Sequence, residues 1–433
     1  MNAPMRRTIA VGTVGNVLEW YDFAVYGYFA AAIGSHFFPH QDPIAQLLAA
    51  FGVFAVGYLM RPVGGVIIGH IGDRYGRRAA LVFSVTAMAV PTTLIGLLPG
   101  YAAIGVAAPI ALTLLRMIQG LSVGGEHPSS IVFLVEHAPE GRRGLMGAFG
   151  CCGAVLGILL GSAVGALFAS TMSAEMLQSW GWRIPFLGGL VVGVAGYFLR
   201  RHLSETAPAQ HSARAPIVET IRDHGWLVGR LAALSVFNAV AFYVIFVFVV
   251  TWLQHADGIS PAHALEINTI NMALLIPVML FSGWLSDRIG RKRCLIAATT
   301  LGFITAWPLF MLMQHGSVHA ALLGQLGFVI CVGLFISTQP IFMVESTPAH
   351  IRCTAVALGY NLCLGIVGGL TPLSATWLIE RTENEIAPAF MIMTAAAISF
   401  VATLRFAETH RAPLQGPQFA GGRTAPQPTY AGA

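Results

Sequence analysis

The 433 residues carry 24 Lys and Arg against 19 Asp and Glu, a net charge of +5, yet only 10% are charged and 56% are apolar, with a mean hydropathy of +0.71. A water-soluble surface cannot be assembled from that composition. The basic residues form no long run with interleaved aromatics, which excludes a nucleic-acid partner, and the six cysteines form no CxxC pair, which argues against zinc ligation and a disulfide framework.

In chain order, apolar stretches long enough to cross about 30 Å of hydrocarbon fall near 11–34, 46–71, 79–98, 103–136, 144–169, 182–202, 226–253, 261–286, 293–313, 317–345, 352–379 and 387–407. The first is too long for a cleaved leader and holds Glu19 and Asp22, so it reads as a first span. Charge at mid-membrane costs several kcal/mol and persists only when paired, hydrated or functional. Counting about 1.5 Å per residue, Asp22 lies midway along the first span, Arg61 just past the middle of the second and Arg116 a little before the middle of the fourth. Glu19, three residues before Asp22, shares its helical face. Glu126, ten residues beyond Arg116, has no evident cation at its own depth and reads as the unbalanced charge. In the fifth span Gly153, Gly157, Gly161 and Gly165 form a stripe for close helix approach. The later spans offer amides and hydroxyls, among them Asn238, Asn268, Asn271, Gln339, Tyr360 and Asn361; each alone is more often interhelical glue.

The loops set the topology. With the start assigned to the cytoplasm, nineteen Lys and Arg fall in cytoplasmic segments, Arg200 among them, against two on the other side, a positive-inside bias that places both termini in the cytoplasm. Gly69–Arg78 recurs as Gly283–Lys292, and the set Val135, Glu136, Pro139, Arg143, Ala148, Gly150 recurs as Val344, Glu345, Pro348, Arg352, Ala357, Gly359, at nearly the same offset. Two unrelated motifs repeating together imply a duplicated six-helix unit. The expected organisation is a six-helix bundle over 1–202, a central cytoplasmic loop over 203–225, a second bundle over 226–407 and a mobile tail over 408–433.

The Gly-x-x-x-Asp-Arg-x-Gly-Arg-Arg loop between the second and third spans resembles the signature of the major facilitator superfamily. The set Gly15–Asn16, Glu19–Phe23, Arg61–Gly65, Arg116 with Gln119–Glu126, Trp180–Phe186 and Gly368–Pro372 is similar to the metabolite:proton symporter family, in wording most like its proline/betaine transporters, with 2-oxoglutarate and citrate carriers as cousins. Two departures stand out: the position after Gly124–Gly125–Glu126, usually Tyr, is His127, and the long coiled-coil tail of osmosensing members is missing. The resemblance implies an all-α membrane protein of the major facilitator fold, twelve transmembrane helices in two pseudo-symmetric six-helix bundles, located in the cell inner membrane, with no catalytic centre and no cofactor.

Related sugar:proton carriers use an acidic residue of the first span with an Arg of the fourth, which match Asp22 and Arg116. A carboxylate whose Arg partner leaves can take up a proton, so this pair is the expected proton switch, with Glu126 as the runner-up proton site; Glu19, grouped with these proton-coupling residues, is expected to orient Arg61 or to help desolvate the site, and its bland reading is a pairing residue. A permanent packing salt bridge is the bland alternative for Asp22–Arg116. Arg116 and Arg61 also suit a substrate carboxylate, Asn238 and Asn361 are expected hydrogen-bonding groups, and Tyr243, with aromatics such as Trp20, Tyr21, Phe242 and Phe246, offers a face to a cation. His127 reads as a packing residue or a modulator of a proton path. At the loops, Asp73 with Arg77 and Arg78, Glu136–Arg143, Asp287 with Arg291 and Lys292, and Glu345–Arg352 are expected to gate the cytoplasmic side. The expected activity is proton symport of a small carboxylate-bearing solute, proline or glycine betaine first, a di- or tricarboxylate second, uniport or export third, by a monomer in contact with lipid.

Overall fold

In the computed structural model, residues 3–39, 43–201, 215–256 and 258–414 are described, and among them there is no strand. Twelve long helical segments follow one another: α1 (Ala3–Tyr28), α2 (Ala45–Arg74), α3 (Arg77–Leu97), α4 (Ala107–Glu136), α5 (Arg143–Thr171), α6 (Arg183–Arg201), α7 (Pro216–Gln254), α8 (Pro261–Ile289), α9 (Arg291–Met313), α10 (Val318–Glu345), α11 (Ala349–Thr382) and α12 (Ala387–Leu404). Eleven are long and apolar enough to cross a membrane; the other, α1, carries Arg6, Arg7, Glu19 and Asp22 along its 26 residues. The chain is thus a multi-pass membrane protein.

The twelve helices form two six-helix bundles. Within the first, α1 lies along α5, α2 along α4 and α3 along α6; within the second, α8 and α9 pack on α10, and α7 and α9 on α12. Across the divide α2 meets α11 and α5 meets α8, the same positions of each half exchanged, as a duplicated unit requires. The glycine stripe explains the α1–α5 seam. A Cβ at Gly157 would come within 2.5 Å of the Val17 carbonyl oxygen, and one at Gly161 within 2.8 Å of that of Tyr21. Only hydrogen fits, so the two backbones touch and α1 is held at a fixed height against α5.

Two expected boundaries move. Helix α7 begins at Pro216, inside the segment read as a loop, because Pro at the first turn removes a donor that a helix start cannot use anyway. Residues 405–414 lie bonded against the arginine-rich face rather than free of it: Glu408 accepts from the backbone N–H of Arg291 (2.9 Å) and Lys292 (3.0 Å), the Thr409 hydroxyl donates to Glu345 (2.6 Å), and Arg143 donates to the carbonyl of Ala412 (2.9 Å). The remainder of the expected loop, 203–214, and of the tail, 415–433, falls outside the described residues. All six cysteines are buried and unpaired, as small fillers would be.

Candidate solute and proton sites

One fully buried ion pair joins two of the residues that depth counting singled out. Asp22 and Arg116 meet at 2.6 Å with side chains 0% and 1% exposed. The second carboxylate oxygen of Asp22 accepts from the Thr92 hydroxyl (2.9 Å) and the Gln119 amide (2.8 Å), and Arg116 also donates to the Gln119 carbonyl oxygen (2.7 Å). The rings of Tyr26, Phe23 and Phe54 enclose the guanidinium at 4.2, 5.1 and 5.2 Å. The carboxylate is fully satisfied, while two guanidinium nitrogens, Nε and Nη2, have no hydrogen bond. Thr92 and Gln119 carry no charge and gave no signal as site residues in the sequence.

One helical turn away along α1 the picture reverses. Glu19 and Arg61 approach only to 3.8 Å, both 1% exposed; neither Glu19 oxygen and none of the three Arg61 nitrogens makes a hydrogen bond. Arg61 instead lies 5.0 Å from the Tyr58 ring and 5.8 Å from the Trp20 ring. Unsatisfied buried charge on this scale requires an explanation. Beside it, between the bundles, is a cavity of about 50 Å³, lined by Trp20, His127, Asn238, Phe242, Tyr243 and Tyr360 with an apolar floor that includes Val155, Met279 and Ile336. That exceeds the roughly 10–15 Å³ a single water occupies by the same measure. The indole N–H of Trp20 and Nδ1 of His127 have no protein partner, and the His127 ring stacks on Tyr360 at 5.2 Å. Tyr243 reaches across the divide to the Tyr58 hydroxyl, 3.4 Å away.

The expected substrate set is therefore split. Asn238 and Tyr243 line the cavity, and Asn238 is oriented by its amide hydrogen bond to Gln339 (3.0 Å). Arg61 is not itself a lining residue, but its guanidinium lies against the ring of Trp20, which is. Arg116 is committed to Asp22 and does not line the cavity. Asn361 donates across the halves to the Gly124 carbonyl (2.5 Å) and to Ala357 (2.8 Å), so it ties α11 to α4. Of the remaining aromatics, Tyr21 is spent on the Pro185 carbonyl (2.9 Å) and Phe246 packs behind Phe242.

Glu126 corrects the reading of an unbalanced charge. It receives a two-point bond from Arg200, 2.6 Å to one oxygen and 3.0 Å to the other, together with the Ser84 hydroxyl. Arg200, tallied with the cytoplasmic arginines at the end of the sixth span, is 0% exposed and also donates to the carbonyls of Val11 and Leu81. The end of α6 turns its penultimate residue, Arg200, into the first bundle, where Glu126 reaches it from α4.

At the arginine-rich face two equivalent clusters join the halves. Asp73 accepts from the backbone N–H groups of Cys353 (3.0 Å) and Thr354 (2.8 Å), an acidic cap on the opposite half's α11, while Arg77 bridges Asp73 (2.8 Å) to Glu136 (3.0 Å) and Arg352 joins Glu136 (2.7 Å). In the mirror position Asp287 accepts from Gly144 (2.7 Å) and Leu145 (2.9 Å) at the start of α5, Arg291 bridges Asp287 (2.8 Å) to Glu345 (3.2 Å), and Arg143 approaches Glu345 at 3.7 Å. Among the described residues Arg78 enters neither cluster, and Lys292 turns to the carbonyls of Leu404 and Phe406.

Comparison with known proteins agrees with this architecture. The Major Facilitator Superfamily model matches residues 13–372 and again 231–428. The chain is 34% identical to the glycine betaine/proline/ectoine/pipecolic acid transporter OusA of Dickeya dadantii over 95% of this chain and 85% of that protein, and 33% identical, with the same coverage, to the proline/betaine transporter of Escherichia coli K12. The fold superposes on the proton:xylose symporter XylE bound to a bromodeoxyglucose with a TM-score of 0.77 at 18% identity, covering 95% of this chain and 98% of that one. A twelve-helix duplicated bundle with paired charge clusters at one face, a family match along most of its length and transporters as its relatives place this chain in the major facilitator superfamily.

Proposed function

We propose that the protein is a proton-coupled symporter that brings a small zwitterion of the proline or glycine betaine kind across the cell inner membrane by alternating access, with both termini in the cytoplasm. The observation that carries this reading is the pairing of one hydrogen-bond-free guanidinium, Arg61, with an aromatic-walled cavity. A carboxylate group would meet Arg61, Trp20 N–H and His127; a quaternary or secondary ammonium would meet the faces of Phe242, Tyr243 and Tyr360. A di- or tricarboxylate calls for a second free cation, and in this conformation Arg116 is bound to Asp22. The names of the relatives point the same way. The skewed arginine tally supports the orientation, and the two charge clusters, closed between halves, suit a gate that opens toward the cytoplasm.

Protein reconstituted in liposomes with an imposed inward proton gradient tests the reading. Labelled proline or glycine betaine is expected to accumulate above equilibrium and to be displaced by other zwitterions. Accumulation of citrate or 2-oxoglutarate instead, or equal levels with and without the gradient, contradicts it.

A further inference from the structure

The first ten residues of α7 precede the apolar stretch that begins at Trp226 and carry two side chains that the transport mechanism does not use, Glu219 and His224. A third, His350, sits on the single turn Ala349–Ile351 that opens α11. The donor atoms of all three lie within 4.8 Å of one another. His350 Nε2 is 2.9 Å from a Glu219 oxygen, and the His224 and His350 rings are 6.2 Å apart. This convergence is not what a regular helix gives. At 3.6 residues per turn, positions five apart point roughly 140° away from each other. The backbone at His224, φ −127° and ψ 17°, leaves the helical region just ahead of Gly225 and turns the imidazole back toward Glu219. All three groups are partly exposed, so an ion from solution can reach them.

We propose that Glu219, His224 and His350 bind a divalent transition-metal ion of the zinc class at the arginine-rich face, and that the bound ion holds the 349–351 turn in its gate-closed position. Two imidazoles and one carboxylate with an open fourth position suit Zn²⁺ and its borderline neighbours, whereas Mg²⁺ and Ca²⁺ require shells of oxygen. The turn is part of the gate. Arg77 donates to the carbonyl of Ala349 (3.3 Å), and Arg352, two residues past His350, pairs with Glu136. Fastening the turn to α7 opposes the departure of both contacts.

The test uses the full chain, purified without a polyhistidine tag and stripped with chelator. Titration with Zn²⁺ is expected to show one site whose affinity falls at least tenfold in His224→Ala and in His350→Ala, with no competition from Mg²⁺. Should either variant fold poorly, Co²⁺ on the unmodified protein gives an independent readout: visible d–d absorption of a four-coordinate ion, bleached by Zn²⁺. Zn²⁺ is also expected to slow solute exchange several-fold in the wild type and not in His350→Ala. No saturable binding, or binding unchanged in both variants, overturns the site; binding with unaltered exchange overturns the hold on the gate. None of these binding outcomes depends on which solute is carried.

Discussion

Asp22 and Glu19 sit one turn apart on α1 and each has an arginine, yet only one of the two pairs is satisfied. The Asp22 carboxylate is bonded by Arg116, Thr92 and Gln119, while the Glu19–Arg61 pair is long and makes no hydrogen bond. In the proposed mechanism the difference separates two tasks: a closed pair that must open, and an open pair that a ligand closes. Arg61→Ala is expected to raise KM for a zwitterion at least tenfold with less effect on kcat, and Arg61→Lys to recover only part, since an ammonium cannot make the planar two-point contact; a KM unchanged in radiolabel uptake removes Arg61 from the site. Glu126 and Arg200 behave differently, as a saturated pair inside one bundle. Removing Arg200 leaves a buried carboxylate and should cost about 3–5 kcal/mol, with much of it regained in Arg200→Met combined with Glu126→Gln. Melting curves of the single and double variants decide this. Depth counting found Asp22, Arg61 and Arg116 because each is a charge in mid-span. It missed the Glu126 partner because Arg200 lies at a helix end, where an arginine looks like a topology signal whichever way its side chain turns. Thr92 was illegible for a related reason: neutral polar groups cost little in a helix, so only their neighbours reveal a role.

At the scale of elements, the stripe of small residues on α5 was legible because four-residue spacing has one structural meaning. Its partner was not, and the contacts of Gly157 with Val17 and Trp20 identify α1. Gly157→Leu should force the seam apart and tilt the helix that carries Glu19 and Asp22; strongly reduced folded yield in detergent chromatography is the expected outcome, and normal yield with normal transport contradicts the seam. The segment after α12 read as a tail because its composition is polar and rich in small residues. Residues 405–414 nevertheless cap α9 through Glu408. Burial raises the Glu408 pKa, but the backbone N–H groups of Thr409, His410, Arg291 and Lys292 outweigh it and hold the carboxyl below its ordinary value of 4.5. A depressed pKa in the folded state gives stability that is fully present above that ordinary value and is lost as pH falls through the lower, folded-state value. The gap in melting temperature between wild type and Glu408→Gln should therefore hold from neutral pH down to about 4.5 and close below it; a gap that widens with acid contradicts the cap.

For the whole molecule, the duplicated loop and the duplicated Glu–Pro–Arg motif announced both the two-bundle plan and a pair of equivalent charge clusters, because a repeat in sequence becomes a repeat in space. What the repeats could not say is that each aspartate reaches the other half: Asp73 to the start of α11, Asp287 to the start of α5. Each is an acidic cap worth roughly 0.5–2 kcal/mol. Asp73→Ala and Asp287→Ala should each shift the population toward the cytoplasm-open form by several-fold, seen as a longer spin-label distance across that face, and an unchanged distance distribution contradicts the gate. The central claim is that the Asp22–Arg116 pair breaks and re-forms once per transport cycle as the carboxylate gains and loses a proton. Asp22→Asn in liposomes tests it most directly. The account predicts that accumulation driven by an imposed proton gradient disappears while solute exchange at equal pH remains measurable; gradient-driven accumulation at the wild-type level would contradict it.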